Sequence, residues 1–291
     1  MLLETPKESL QGSENGKLSI DTFHQMRDLI YEKSGIYFAD AKKYLLENRL
    51  VRRLEEKNFK TFEEYYYFLK YDPRRHHEFS SLFDSITTNE TSFFRNPPQL
   101  EAFEKGVMPI VVEAHRKSSN NKIRIWSAAC STGEEPYTIS IILLENKSLL
   151  SGMSVEIIAS DISEVVLTSA RKGAYGSNSI RNTSKQYLDK YFVGNSDSYT
   201  VKPEVKSMVK FNNINLYDQG KMKMMKSFDV IFCRNVLIYF DEKAKRQVIS
   251  NLYDSLNIGG YLIIGHSESL HNISRAFKLI NINRMPVYKK E

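Results

Sequence analysis

In "TTNETSFFRNPP", Thr87 to Pro98, hydroxyls, Asn89, Glu90 and Arg95 crowd around Phe93 and Phe94, and two prolines then close the stretch. A core helix does not take that pattern, whereas a segment that holds a polar ligand against an aromatic wall does. A second group is "SAACSTGEEPY". Ser127 to Gly133 are small enough for a ligand to approach the backbone, and Glu134 and Glu135 follow at a helix start with Ser131 and Thr132 as candidate caps. A pyrophosphate cofactor calls for G-x-G-x-x-G, and only Gly133 is present. Two acids at a helix N-terminus favour a ligand with a positive group and no phosphate, although Glu134 also reads as a plain helix cap.

Further along, Asp161 ends the apolar run of "IIASDIS", where an acid accepts hydrogen bonds from ribose hydroxyls or caps a helix starting near Ser163. Arg234 and Asn235 end another run in "CRNVLIYFD", with Tyr239 four residues on. Three run ends in succession carry groups suited to a nucleoside, which together point to S-adenosylmethionine.

The elements that must position these groups are strand-like runs, "IRIWSAA", "VEIIASD", "FDVIFCRN" and "GYLIIGHSE", alternating with helical patterns, "EPYTISIILLEN", "SEVVLTSARKGAY" and "DEKAKRQVISNLYDSLN". Alternation of this kind predicts an α/β doubly wound sheet with parallel central strands, whose ligands bind at the carboxyl ends near the topological switch point. "GHSES", Gly265 to Ser269, looks like a hydrolase elbow but ends in Ser269 where glycine is needed.

Residues 17–90 read instead as a small helical domain. Apolar spacing from Leu18 to Ser34 ends at Gly35 as a C-cap, Asp40 is placed to cap "DAKKYLLENRLVRRLEEKN", and Thr61 with Glu64 has capping-box spacing before "TFEEYYYFLKYD". A fourth pattern, "PRRHHEFSSLFDSI", leads into Thr87. On the second helix Tyr44, Leu46, Leu50, Val51 and Leu54 are expected to pack, and Lys42, Arg49, Arg52 and Arg53 to form a basic face. That face is either solvated charge or a docking surface. Residues 1–16 are polar and read as a flexible tail.

Composition bounds the class. With 291 residues and 41% apolar content the chain can bury a substantial core. Its apolar runs fall short of the roughly 20 residues that span a bilayer, and the first residues lack a signal-peptide pattern, so a cytoplasmic location is expected. Cys130 and Cys233 fit a reducing compartment and have no zinc-ligand spacing, and the adjacent His76 and His77 read as surface residues. The net charge is +6; residues 1–88 hold 14 basic and 15 acidic residues, leaving 27 basic and 20 acidic beyond them, and residues 181–226 hold 9 and 4. An acidic partner is suggested, whether protein, nucleic acid or membrane surface.

The motifs "TTNETSFFRNP", "IRIWSAACSTGEEPYTIS", "ASDIS", "VKFNNINL", "FDVIFCRNVLIYF" and "GGYLIIGHSE" resemble, in order and spacing, those of the chemotaxis receptor glutamate O-methyltransferases, the CheR family. They span most of residues 80–270, and the helical segment ahead of them also looks like that family's N-terminal domain. The resemblance implies a Rossmann-like S-adenosylmethionine-dependent methyltransferase domain over 91–291, a helical receptor-recognition domain over 17–90 and an inserted antiparallel β-subdomain over 190–213. It implies methyl transfer to glutamates of methyl-accepting chemotaxis receptors, with S-adenosylhomocysteine as product and no metal. By motif position Asn89, Thr91, Arg95, Glu135, Asp161, Asn215, Leu216, Arg234 and Asn235 are implied in cofactor binding, and Arg95 and Tyr239 flank the reacting atoms.

The turn "GNSDSY" in 192–211 is shorter and less glycine-rich than in relatives that grip a receptor's C-terminal peptide, which weighs against tail tethering. Arg49, Arg52 and Arg53 are then expected to carry more of the receptor recognition, with recruitment to membrane receptor arrays and no membrane insertion. A nucleic-acid methyltransferase is the enzymatic rival, but no RNA-binding module accompanies the charge. A binder without turnover is the other, and it would have no need of both Arg95 and Tyr239.

Overall fold

The computed structural model describes residues 17–195 and 197–291; the tail reading for residues 1–16 lies outside them. The chain divides between Thr88 and Asn89 into two compact units.

The first unit holds α1 (Ile20–Ser34), α2 (Lys43–Lys57), α3 (Phe62–Tyr71) and α4 (Arg75–Ile86). Ser19 caps α1, and Gly35 ends it in the left-handed region at φ 73° with its N–H on the Tyr31 carbonyl. Thr61 caps α3 through the Glu64 N–H (3.2 Å), while Glu64 returns to the Lys60 N–H (2.8 Å).

Two expectations for α2 fail. Asp40 caps nothing there: it opens a 3₁₀ turn, Asp40–Lys42, and its carboxylate accepts from Arg27 (3.0 Å). The split into a packed and a basic face also fails, because Leu46, Leu50 and Leu54 form the buried stripe while Tyr44 is 64% exposed. Tyr44 precedes Leu46 by two residues, about 200° around the helix, whereas Arg49 and Arg53 follow it by three and seven, within about 60° of the stripe.

The second unit is built on a seven-stranded sheet ordered β6-β2-β1-β7-β8-β10-β9. Its strands are β1 (Lys122–Ala128), β2 (Ser154–Asp161), β6 (Val209–Asn213), β7 (Phe228–Cys233), β8 (Leu256–Ile264), β9 (Phe277–Ile282) and β10 (Met285–Lys290). The first five run parallel, and β10 and β9 add antiparallel. Every residue of β7 is buried, as expected of a central parallel strand covered on both faces. The chain leaves β1 toward β2 on one side and later returns to its other side at β7, so the crevice between β1 and β7 is the switch point.

A second sheet, β3-β5-β4, joins β3 (Ala174–Tyr175), β4 (Phe192–Gly194) and β5 (Tyr199–Val201) as antiparallel partners. Val209–Asn213, inside the range expected for the inserted subdomain, instead forms the edge of the large sheet against β2. Helix Glu134–Glu145 is buried along nearly its whole length, which explains the all-round apolar "ISIILL".

Candidate active site

The short loop after β1 sets the site's floor. Ala129, Ser131 and Gly133 adopt φ of 70°, 50° and 94°, an alternation that turns the backbone sharply between strand and helix. Glycine is required at 133 for two reasons: the positive φ, and a Cβ there would lie 2.9 Å from the Ala170 Cβ and 3.1 Å from the Tyr175 hydroxyl. Gly133 itself occupies the N-cap position of helix Glu134–Glu145, so Ser131 and Thr132 do not cap it. Glu134 is buried, accepting from the Thr132 (2.7 Å) and Ser179 (2.9 Å) hydroxyls, and burial raises its carboxyl above the usual range. These bonds tie it to the loop and to Ser179.

Glu135 points elsewhere. One of its oxygens accepts from the Ser127 hydroxyl at the end of β1 (2.7 Å) and the other pairs with Arg234 at the end of β7 (3.0 Å). The Arg234 side chain is 5% exposed and uses its planar fork fully, donating also to the Gln99 Oε1 (3.0 Å) and the Arg95 carbonyl (2.7 Å). Gln99 donates in turn to the Ile264 carbonyl at the end of β8 (2.7 Å). Arg234 thus ties two strand ends, a helix start and the segment carrying Arg95 together.

That segment is anchored by its phenylalanines. Phe93 is fully buried, edge-on to Tyr175 (4.8 Å) and Phe192 (5.0 Å), and Phe94 stacks on Tyr187 at 5.0 Å and 11°. The Phe93 N–H donates to the Ser179 carbonyl (2.8 Å) and the Phe94 N–H to the Thr138 hydroxyl (3.1 Å). Phe94 and Asn96 both have positive φ, 51° and 61°, and Arg95 is held between them. Its guanidinium donates to the Glu90 carbonyl (3.0 Å), which occupies one of five donors. Thr91 and Asn89 are half-buried, and the Asn89 carbonyl accepts from the Ser131 hydroxyl (3.3 Å), bringing the segment onto the β1 loop.

Asp161 ends β2 beside that loop. It does not cap the next helix, which is the work of the Ser163 hydroxyl. Its carboxylate instead accepts the Ser131 N–H (2.9 Å) and the Ser163 N–H (3.0 Å). These bonds fix the carboxylate against the β1 loop. Asn215 and Leu216 follow β6: Asn215 accepts the Tyr217 N–H (3.0 Å), and the buried Leu216 gives its carbonyl to Asn251 (3.0 Å). Asn235, at φ 60°, opens the turn after β7, and Tyr239 ends it, half-buried. The residues expected at a cofactor therefore lie at the carboxyl ends of β1, β2, β6 and β7 and on the segment tied to them.

The three arginines expected to bind substrate are not brought together on one open face. Arg53 packs on the buried Glu78 with two nitrogens and has a side chain 13% exposed; Lys57 and Tyr65 complete that cluster. Arg49 donates to the Ile86 carbonyl and the Thr88 hydroxyl (2.5 Å). Arg52, with a side chain 85% exposed, pairs with Glu56 across one helical turn (2.8 Å).

Residues 89–285 match the family description "CheR methyltransferase, SAM binding domain", and residues 21–87 match "CheR methyltransferase, all-alpha domain". The chain belongs to the CheR family. Chemotaxis protein methyltransferase 2 of Vibrio cholerae is 37% identical over 92% of this chain and 92% of its own length. The chemotaxis protein methyltransferases of Borreliella burgdorferi (39% identical, covering 88% and 90%) and Salmonella typhimurium (35%, covering 93% and 91%) are similar over as much. The protein is an S-adenosylmethionine-dependent methyltransferase.

As in the CheR description, the donor set fits that cofactor. The loop after β1 gives its Cys130 and Ser131 N–H groups to the Ser160 carbonyl and Asp161, the helix behind it starts with two carboxylates, and Asp161 is a carboxylate, the acceptor type that hydroxyls need. Gln99 and Ser179 hold the cluster together and are not singled out by the sequence, and Ser127, read there only as a small residue, is a hydrogen-bond donor to Glu135. Each is a lone polar residue in a run read as helix, strand or linker, and only its buried partner reveals it.

Proposed function

We propose that the protein methylates glutamate side chains of methyl-accepting chemotaxis receptors, giving glutamate methyl esters and S-adenosylhomocysteine. The observation that supports this most is the tying of Arg95, Glu135 and Arg234 into one cluster at the strand ends, in a chain matching both CheR domains.

S-adenosylmethionine supplies an electrophilic methyl on a sulfonium. Asp161, Asn89, Thr91, Asn215, Leu216 and Asn235 hold the cofactor in this reading, Glu135 faces its positive end, and Arg234 fixes Glu135. The receptor glutamate is ionised at neutral pH and needs no general base, so the protein's work is alignment and exclusion of water. Arg95 orients the incoming carboxylate from its constrained place between Phe94 and Asn96. A full bidentate pairing would quench the nucleophile, so its bond to the Glu90 carbonyl suits orientation without neutralisation. Tyr239 borders the carboxylate with its hydroxyl.

The helical unit recognises the receptor's helical cytoplasmic region, with Arg52 as the exposed contact and Arg49 and Arg53 bracing the helix that presents it. No helix among the described residues is long and apolar enough to cross a membrane. We place the enzyme in the cytoplasm, recruited to receptor arrays through this unit and without a tail tether.

The test is transfer of labelled methyl from S-adenosylmethionine to membranes carrying chemoreceptors. Base-labile label on the receptor band is the expected result. Base-stable label, or no label where calorimetry shows the cofactor bound, would overturn the proposal.

A further inference from the structure

We infer that Glu268 is a positioning residue for methyl transfer, fixing the turn that carries Asn235 and Tyr239. Strands β7 and β8 are parallel neighbours, with Cys233 opposite Ile264, so the chain leaves the sheet side by side at Arg234 and Gly265. Glu268 spans the gap. Its Oε2 accepts the N–H groups of Asn235 (3.0 Å) and Gly265 (2.6 Å), and its Oε1 accepts that of Leu237 (2.8 Å). Its own N–H donates to the Gly265 carbonyl (2.9 Å), which closes the loop holding the carboxylate.

The arrangement depends on both sequence motifs. A Cβ at position 265 would lie 2.6 Å from the Glu268 Oε2 and 2.9 Å from the Asn235 nitrogen, so glycine makes room for the carboxylate. Within the turn the Tyr239 N–H donates to the Val236 carbonyl (3.1 Å) and the Phe240 N–H to the Leu237 carbonyl (3.2 Å). Ile238 is 56% exposed, Asn235, Val236 and Tyr239 are half-buried, and Leu237 alone packs inward. Asn235 must also keep a positive φ of 60°. Two charge-assisted bonds from this carboxylate, to the Asn235 and Leu237 N–H groups, therefore tie the turn that carries Tyr239 to the end of β8.

The inference rests on the reading in which Tyr239 borders the reacting carboxylate. It is tested with full-length enzyme on receptor membranes at saturating S-adenosylmethionine, by kcat for Glu268→Gln, Tyr239→Phe and the double variant, with thermal denaturation in parallel. Glutamine keeps the shape but sets an amide donor against backbone donors. We expect Glu268→Gln to lower kcat about tenfold or more. We expect its effect to shrink to less than about twofold in the Tyr239→Phe background, because both changes disturb one unit.

Wild-type kcat in Glu268→Gln overturns the inference, as does a slow Tyr239→Phe enzyme on which the Glu268→Gln factor multiplies in full. A fully active Tyr239→Phe enzyme removes the role of Tyr239 first and the inference with it, which separates the two failures. If Glu268→Gln does not fold, Gly265→Ala crowds the same carboxylate from the other side and is read by the same cycle.

Discussion

Arg234 and Glu135 stand 99 residues apart in the chain and meet as an ion pair of 3.0 Å between the end of β7 and the start of the helix after β1. Because the same guanidinium holds Gln99 and the Arg95 carbonyl, cutting it takes the charged partner from a largely covered carboxylate that keeps only the Ser127 hydroxyl, and a donor from a buried amide and a carbonyl. Arg234→Ala should cost about 3–5 kcal/mol of stability, the range for breaking a buried pair. Arg234→Lys keeps the charge but not the fork, and should recover only part of it. Urea unfolding of the three proteins checks the order.

Arg95 shows the opposite balance. Its side chain donates to a carbonyl on its own segment, so Arg95→Ala should change stability by less than about 1 kcal/mol. Turnover should fall by about tenfold to a hundredfold if the group orients the receptor carboxylate. Unchanged turnover in a methyl-transfer assay would remove it from the reaction.

Asp161 holds the β1 loop through the Ser131 N–H as well as facing the cofactor in our reading. Asp161→Ala should weaken S-adenosylmethionine binding by about tenfold or more, the worth of one or two charge-assisted hydrogen bonds. Calorimetry on the variant measures this directly, and wild-type affinity would contradict it.

Within the helical unit, Arg52 and Arg53 should behave differently despite being neighbours. Arg53→Ala takes the two-nitrogen partner from the buried Glu78, leaving it Lys57 and Tyr65, and should destabilise by about 3 kcal/mol. Arg52→Ala, at an exposed i,i+4 pair, should cost under about 0.5 kcal/mol. If Arg52 meets the receptor, its loss raises KM for receptor membranes with the melting temperature unchanged.

Glu156 provides a pH prediction. The hydrogen bond from Lys210, with help from Arg124 and Lys122, holds its carboxyl down at about 2 against an ordinary 4.5. A lowered folded-state value means stability that is fully present above pH 4.5 and is lost as pH falls toward about 2. Glu156→Gln should cost about 1 kcal/mol at neutral pH, the scale of a partly exposed pair, and nothing at the bottom of that window. Denaturation midpoints at pH 7 and pH 2.5 would show whether the difference closes, as expected.

The sequence by itself determined the elements and the chemistry at their ends. Strand-like runs ending in Asp161 and in Arg234–Asn235, and small residues before Glu134–Glu135, were legible because parallel strands buried on both faces must be continuous apolar runs, and polar residues at their ends have few structural uses. The antiparallel β9 and β10 were not legible, since their pairing with β8 is decided by contacts far along the chain. Burial was misread on α2, where Arg53 looked like surface charge until the fold brought Glu78 against it. Tertiary structure alone decided that Arg234 serves Glu135, Gln99 and Arg95, and that Glu268 gathers three N–H groups from two strand ends. A side chain's type states which bonds it can make; only the folded chain, by removing water and bringing distant partners within about 3 Å, decides which of them it does make.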